Sequence, residues 1–435
     1  MKKKYFYLIL GLIIIVALGL FLATYIILQR DSTTGEEGGG QTNPFANFFP
    51  FGKPSEPTTG TTPGQGVGTT GGTGNTPLFG QEITNPLRQI SQTPVAGSYT
   101  VLRGGKTYAL HVERNTGNVF ETKLEDMTQN RLSNALIPRI QEAFFGNNGK
   151  SVVLRYLEEP LDTIKSFVLD VTNPLKPKIG SVVVSATGTP DTIPNGIFLP
   201  KDIMNVFPTR DGSNMFYSTR SSDFATRKFT GTAYNSIKGT SADVFQSPFS
   251  DWLPVFWDGT TVFLQTKASQ LVPGYLYSFN TKTGGTQKIL SEKNGLTTLP
   301  SPDQQKILYS VSTRGGIALY LNDRKGVYGA DMEIQTLPEK CVWTNDSIYL
   351  YCAVPNFIPS AIYPDDWYQG SVSLNDNIMK IDIKSGDTTS VLIPDNRANQ
   401  QMDIINMSLS PDEKYLTFTN KKDETLWMYD LTGAE

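Results

Sequence analysis

Histidine and cysteine are nearly absent from this chain of 435 residues, which contains one histidine and two cysteines. A histidine-rich metal site and a four-cysteine zinc cage are therefore excluded. A Ser-His-Asp triad would depend on His111, and the chain has neither a Gly-x-Ser-x-Gly elbow nor a P-loop. We interpret His111 as structural, expect no metal and no cofactor, and predict that the protein is not an enzyme.

Basic residues are too few to indicate a nucleic-acid-binding surface. The chain has 38 lysines and arginines against 41 acidic residues. Four of the basic residues lie within the first 30 positions, and the remaining 34 leave a net charge of −7 for the rest of the chain. Because phosphate binding needs a basic patch or stripe, we do not expect nucleic acid as a partner.

One long apolar segment is present at the start of the chain. Residues 1–4 contain three lysines, and residues 5–28 carry no charge. This uncharged segment is long enough to span a bilayer. The lysines before the segment outweigh Arg30 after it, so the positive-inside rule places the N-terminus in the cytoplasm. We predict an uncleaved transmembrane signal anchor in the plasma membrane, with residues after Leu28 outside the cytoplasm.

Residues 29–80 are dominated by glycine, threonine and proline. Such a segment buries too little apolar surface to offset its ordering entropy, so we predict a disordered, flexible linker. Residues 43–51 are the exception, because they carry four phenylalanines. These rings are either a docking motif or, as aromatic residues near a bilayer often are, part of the membrane interface.

The rest of the chain, residues 81–435, repeats a pattern of short turns between β-branched and aromatic runs. The turns lie at Gly105, Asn148–Gly149, Asp211–Gly212, Asp258–Gly259, Gln304, Asp346 and Glu413, at steps of 44, 63, 47, 45, 42 and 67 residues. A base period near 44 fits one four-stranded propeller blade per repeat. We therefore predict an all-β fold, a seven-bladed β-propeller of four-stranded antiparallel blades.

The seventh repeat lacks its outer strand before the chain stops. Residues 86–91, just ahead of the first blade, have the character of an outer strand. We predict that they pair with the last blade and close the ring.

Two turns resemble a known repeat. The run from Ser410 through Asp412 to Phe418, and the run from Ser301 through Asp303 to Tyr309, are similar to the WD40-like repeat of TolB-type propellers. The resemblance is good over blades four to seven and weak before them. It implies a scaffold that is often extracytoplasmic and often protein-binding, with structural aspartates and no catalytic residue.

Two of the turn-to-turn steps are stretched by insertions. We assign them to residues 185–201, after the outer strand of blade two, and residues 354–376, between the second and third strands of blade six. In a four-stranded meander both connections emerge on the same face, where long loops usually carry binding. The second insertion contains the candidate binding residues Tyr363, Asp365, Asp366, Trp367 and Tyr368.

These five residues have two interpretations. The aromatic rings and carboxylates present a surface to a sugar, a cation or a protein. Alternatively, Trp367 folds back onto the blade as a plug, and the two aspartates are solvated or cap a turn.

Cys341 and Cys352 flank the turn of blade six on the same side of two strands. A turn centred on Asn345–Asp346 would pair Cys341 with Leu350 and leave Cys352 on the diagonal, too far for easy bridging. A register displaced by one residue would place the cysteines opposite each other. Oxidation is favoured outside the cytoplasm, so both a disulfide and two buried thiols remain open.

The sequence thus predicts a single-pass plasma-membrane protein whose propeller lies at the cell surface or in the periplasm. It would bind a protein or an envelope glycan through the face carrying residues 185–201 and 354–376. One alternative is a cell-envelope glycan hydrolase that uses Asp365 or Asp366. Another is a structural subunit of a surface assembly, with residues 45–51 as its contact.

Overall fold

The fold is described by a computed structural model. It covers Thr76–Pro77 and residues 85–133, 137, 139–158, 163–172, 183–184, 190–191, 196–209, 212–221, 228–256, 258–325 and 329–433. The predicted anchor, residues 5–28, and the rest of the predicted linker lie outside these ranges. Within them, no helix is long and apolar enough to cross a membrane. All described residues belong to one unit, Ala46–Glu435.

The strands form seven blades, each with four antiparallel strands named a to d from the inside outwards. Two short strands come first, β1 (Thr76–Pro77) and β2 (Leu87–Gln89). Blade one contains β3 (Val95–Arg103), β4 (Lys106–Glu113), β5 (Val119–Lys123) and β6 (Thr128–Arg131), with β1 as a fifth strand. Blade two contains β7 (Ile140–Gly146), β8 (Ser151–Glu158), β9 (Thr163–Asp170) and, after the separate hairpin of β10 (Val183–Val184) and β11 (Pro190–Asp191), β12 (Gly196–Phe198).

The remaining blades follow in chain order. Blade three contains β13 (Ile203–Pro208), β14 (Asn214–Arg220), β15 (Phe229–Asn235) and β16 (Thr240–Ser247), and blade four contains β17 (Trp252–Phe256), β18 (Thr261–Thr266), β19 (Pro273–Asn280) and β20 (Thr286–Asn294). Blade five contains β21 (Thr297–Pro300), β22 (Lys306–Thr313), β23 (Gly316–Asp323) and β24 (Gly329–Asp331), and blade six contains β25 (Cys341–Trp343), β26 (Tyr349–Pro355), β27 (Asp376–Asp382) and β28 (Thr388–Leu392). Blade seven contains β29 (Ile404–Leu409), β30 (Tyr415–Asn420) and β31 (Thr425–Asp430), with β2 as strand d.

Helices within the described residues are short. They are α1 (Asp365–Tyr368), α2 (Pro394–Ala398) and two 3-10 turns, Pro338–Lys340 and Leu431–Gly433. The predicted all-β, seven-bladed fold is therefore confirmed.

The core lies between neighbouring blades, because alternate strand residues point to opposite faces of each sheet. Between blades one and two, Val101 and Leu110 pack with Phe145, Val152 and Leu154, all buried. Burying each such side chain is worth about 1.5–3 kcal/mol, so the contact between blades is a principal source of stability.

The aspartate of the WD40-like repeat has the structural role that the resemblance implies. The Ser410 hydroxyl donates to Asp412 Oδ1 at 2.7 Å and accepts from the Tyr415 amide at 3.0 Å. The other oxygen of Asp412 accepts from the Thr107 hydroxyl of blade one at 3.1 Å. The turn is thus locked internally and tied to the next blade.

The N-terminal strand closes the ring as predicted. Strand β2 pairs antiparallel with β31, with Leu87 opposite Tyr429 and Gln89 opposite Trp427. Arg88, which is buried, lies 3.2 Å from Asp430. The last blade therefore combines β2, from near the start of the described chain, with the three strands at its end.

Two outer strands differ from the prediction. The residue pattern predicts strand d of blade five at residues 333–337, but the structure places it at Gly329–Asp331. The residue pattern predicts strand d of blade two at residues 180–184, but that position belongs to β12, which pairs with β9. The run Val182–Val184 has high β-propensity, but β-propensity does not determine which strand joins a sheet edge.

The correction in blade two changes the face on which one insertion lies. We call the face with the b-to-c and d-to-a connections, including residues 356–375, the b–c face, and the opposite face the a–b face. The chain leaves β9 at Asp170 and enters β12 at Gly196, both at the end where β7 turns into β8. The blade-two insertion is thus a c-to-d connection on the a–b face, and the prediction that both insertions share one face is wrong.

Ring closure makes a direct prediction about truncation. We expect a chain that starts at Thr93 to melt about 5 °C or more below a chain that starts at Asn85, because β31 loses its outer partner. The chain that starts at Asn85 is the matched control, since it retains β2. Equal melting temperatures for the two chains in calorimetry would contradict the closure.

Candidate functional site

The insertion of blade six folds into an ordered segment, which we call the cap (residues 356–375). It begins after β26, contains a cis peptide bond between Tyr363 and Pro364, forms α1 and returns to β27. The Ser312 hydroxyl of blade five donates to the carbonyl oxygen of Tyr363. A Cβ at Gly315, where φ is +75°, would lie 2.6 Å from Ser360 Oγ, so the cap lies directly on the b-to-c turn of blade five.

Trp367 points into the molecule rather than to solvent. Its side chain is 0% exposed, and its Nε1 donates to Asp403 Oδ2 at 3.0 Å. The ammonium groups of Lys421 and Lys340 lie 4.2 Å and 5.1 Å from the ring centroid. Lys421 also donates to the Trp367 carbonyl oxygen. This is the plug geometry, the second of the two interpretations of the segment.

A buried ion cluster lies beneath Trp367. Lys340 Nζ is 2.8 Å from Asp376 Oδ2 and 2.6 Å from Asp403 Oδ1, and all three side chains are inaccessible. Asp376 also accepts from the Ile404 amide at 2.6 Å, and Asp403 from the Leu374 amide at 2.9 Å. The cluster joins the 3-10 turn before β25, the start of β27 and the start of β29, and the Leu374 amide links the end of the cap to it.

The ionisation of the cluster follows from burial and charge. Burial opposes the charged form of Lys340, but the two carboxylates outweigh it and raise the pKa of the ammonium. Burial likewise works against the Asp403 carboxylate, yet Lys340 and the Leu374 amide hold its pKa below the usual value. Burial raises the pKa of Asp376 to about 6, and the neighbouring Asp403 adds to that rise. Lys340 and Asp403 are therefore the permanent ion pair.

The other predicted site residues hold the cap to its surroundings. Asp365 Oδ2 accepts from the Gln270 amide of blade four at 2.8 Å. Asp366 Oδ2 accepts from the Ile362 amide at 2.7 Å. The Tyr368 hydroxyl donates to Glu339. Tyr363 is buried, with its hydroxyl 2.9 Å from the Pro359 carbonyl oxygen.

Most of the exposed residues of the cap are polar or glycine, but large apolar side chains are exposed among them. Four large side chains, which we call the apolar patch, lie on the cap and on the adjacent b-to-c turn of blade four: Leu271 (78% exposed), Val272 (57%), Phe357 (74%) and Ile362 (42%). The hydrogen bond between Gln270 and Asp365 joins the two segments. Our sequence interpretation missed Leu271 and Val272, although an apolar pair in a turn between two strands is a signal that was available.

The two cysteines are directly opposite each other in blade six, so the structure has the displaced register. Cys341 pairs with Cys352, and Trp343 pairs with Leu350. Their sulfur atoms are joined in a disulfide, and both residues are buried. The disulfide links strands a and b next to the ion cluster.

His111 lies in blade one, away from the cap. It is buried, its ring stacks on Phe120 at 5.3 Å, and burial lowers its pKa to about 4. The imidazole is therefore neutral at physiological pH. Over the described ranges, no group of three or more histidine, cysteine or acidic side chains is placed to hold a metal ion.

Comparison with known proteins gives similarity of fold only. No family model matches the chain, and no curated protein matches it in sequence. Similar solved structures include an oligogalacturonate lyase from Vibrio parahaemolyticus (10% identity, 79% of this chain and 93% of the lyase, TM-score 0.49). Another is the β-propeller domain of the Trilobed protease from Pyrococcus furiosus (11% identity, 77% of this chain and 95% of that domain, TM-score 0.46). A third is TolB from Acinetobacter baumannii (10% identity, 77% of this chain and 78% of TolB, TM-score 0.39). The propeller assignment itself rests on the strand pairing described above.

The carboxylate of Glu339 predicts a pH dependence of stability. Burial raises its pKa to about 7, although Tyr368, Lys340 and Lys421 each lower it. The folded protein thus holds a proton that the unfolded chain loses near pH 4.5, so this group lowers stability as pH rises from about 4.5 to about 7. We expect Glu339→Gln to raise the melting temperature at pH 8 and to change it little at pH 4.

Thermal unfolding at the two pH values measures this difference. Glu333→Gln is the matched control, since Glu333 is exposed. An equal effect of Glu339→Gln at both pH values would contradict the assignment.

Proposed function

We propose that this protein is a membrane-anchored, extracytoplasmic binding module that recognises a protein or another cell-envelope component through the b–c face of its propeller. The observation that carries the proposal is the apolar patch on a cap held in place from three blades. Several exposed large apolar side chains on one rigid support are typical of an interaction site.

The rigidity of the cap supports this proposal. The cap is fixed by Gln270 of blade four, by Ser312 of blade five and by Asp403 of blade seven. A surface held in this way loses little conformational entropy when a partner binds. Phe357 and Leu271 are the most exposed members of the patch, and we assign the principal contact to them.

The position of the patch fits attachment through the N-terminal segment. Leu87 pairs with Tyr429 near the end of β31, so β2 begins on the a–b face, after β1 has paired with the outer strand of blade one. The patch lies on the opposite face. With residues 5–28 as the anchor and the residues between them and β1 as the linker, we expect the patch to face away from the point of attachment.

The buried disulfide supports the proposed location outside the cytoplasm. Disulfides persist in oxidising compartments and are rare in the cytosol. A bond between Cys341 and Cys352 is therefore what a propeller at the cell surface or in the periplasm would contain.

We favour binding over glycan hydrolysis because Asp365 and Asp366 serve as acceptors for backbone amides of Gln270 and Ile362. The third hypothesis, a structural subunit, used residues 45–51, which lie outside the described residues. Neither alternative has an observation in its favour comparable to the apolar patch.

A crosslinking experiment tests this function. A photoreactive amino acid at position 271 of the full chain, in the cells that make it, should capture a defined partner. The double variant Leu271→Asp, Phe357→Asp should lose the interaction when the crosslinker is placed at the neighbouring position Val272. Ile237→Asp is the matched control, because Ile237 is 64% exposed in a turn on the a–b face.

Equal capture by the double variant and the control would place binding elsewhere. No capture by any form would reject the b–c face as a binding surface.

A further inference from the structure

A crevice opens between the outer strands of blades four and five. Its volume is about 340 Å³, and its lining includes Glu292, Lys293, Asn294, Tyr309, Tyr320 and Gly329. On the blade-five side, the lining reaches strand d, Gly329–Asp331, through Gly329. The volume lies within the range of small-molecule sites.

The wall formed by blade four is shaped by a bulge. The pairing of β19 with β20 is interrupted between Gly274 and Leu276, which leaves Ser291 and Glu292 without partners in the ladder. Glu292 has φ +58°, a left-handed conformation that is uncommon for a residue other than glycine. Bulges and left-handed residues are enriched at functional sites, and here they place a carboxylate beside Lys293 at the crevice.

The wall formed by blade five contains a buried acceptor without a donor. Asn322 is 4% exposed, and its Oδ1 has no hydrogen-bond partner among the described residues. A Cβ at Gly329 would lie 2.6 Å from this oxygen and 2.7 Å from the Tyr309 hydroxyl. The absence of a side chain at Gly329 thus leaves two polar atoms converging on this residue, which lines the crevice.

The aromatic floor is formed by two tyrosines. Tyr309 and Tyr320 are cross-strand neighbours whose rings stack with centroids 5.4 Å apart. Tyr309 is buried, whereas Tyr320 is partly exposed. Tyr320 therefore offers an apolar ring surface next to the polar groups of Asn322 and Tyr309.

We propose that this crevice binds a short oligosaccharide, with a pyranose ring against Tyr320 and a sugar hydroxyl between Asn322 Oδ1 and the Tyr309 hydroxyl. A sugar hydroxyl both donates and accepts, which is what an unpaired acceptor beside a tyrosine hydroxyl requires. An apolar peptide side chain would leave the Asn322 oxygen unpaired, at a cost of about 1–3 kcal/mol.

This site is independent of the proposed contact at the apolar patch. Two lining residues do contact the surroundings of the patch: the Asn294 side-chain amide donates to the Gln270 carbonyl oxygen at 2.7 Å, and the Ser312 hydroxyl donates to the Tyr363 carbonyl oxygen of the cap. Tyr320 and Asn322, however, take no part in the cap. Sugar binding can therefore be measured on the purified chain without any protein partner, and either proposal can fail without the other.

Calorimetric titration of the full chain in mild detergent tests the proposal. The probes are cellopentaose, chitopentaose and a hyaluronan hexasaccharide, which are neutral, N-acetylated and acidic. We expect at least one to bind at millimolar concentration or better, and Tyr320→Ala to weaken that binding about fivefold or more. Tyr349→Ala, which removes a half-buried tyrosine from blade six, should leave the affinity unchanged.

A second variant covers the case in which Tyr320→Ala does not fold. Asn322→Val removes the unpaired acceptor and should weaken binding about threefold or more. Failure of all three sugars to bind would overturn the proposal. Equal weakening by the blade-five variants and by Tyr349→Ala would do the same, as would a crystal soaked with the sugar in which Asn322 Oδ1 contacts only an ordered water.

Discussion

The ammonium group of Lys340, buried between two carboxylates, is the interaction on which the candidate binding face depends. It joins the entry to blade six, the start of β27 and the entry to blade seven through Asp376 and Asp403. Removing one partner of a buried ion cluster typically costs about 3–5 kcal/mol, because the remaining charges are left uncompensated. Trp367 donates to the same Asp403, so the cap depends on the pair for its own position.

The blades could be predicted from the sequence because each turn has a local cause. In the turn of blade seven, Ser410 and Asp412 bond to each other and to the following strand within six residues. Ring closure was predictable for a similar reason, since a blade that lacks an outer strand requires one and residues 86–91 have the right pattern. These features are short-range or follow from counting strands.

The remaining features depend on contacts between distant residues. The residues around Lys340 in the sequence do not indicate that its side chain binds Asp403, which lies 63 positions later in the chain. The burial of Trp367 depends on the same partner, which is why plug and exposed surface could not be distinguished from the sequence. Strand d of blade two was misassigned because valines favour strands locally, whereas the edge of β9 selects Gly196–Phe198. Whether Cys341 lies opposite Cys352 or opposite Leu350 depends on a shift of one residue in the turn between β25 and β26, and the sequence does not determine that shift.

If the ion cluster holds the cap rigid for binding, hydrogen–deuterium exchange at the Leu374 and Ile404 amides depends on Lys340. These amides donate to Asp403 and Asp376. We expect strong protection in the native protein, rapid exchange in Lys340→Met, and native-like protection in Lys422→Met, which changes an exposed lysine nearby. Native-like protection of both amides in Lys340→Met would contradict the account.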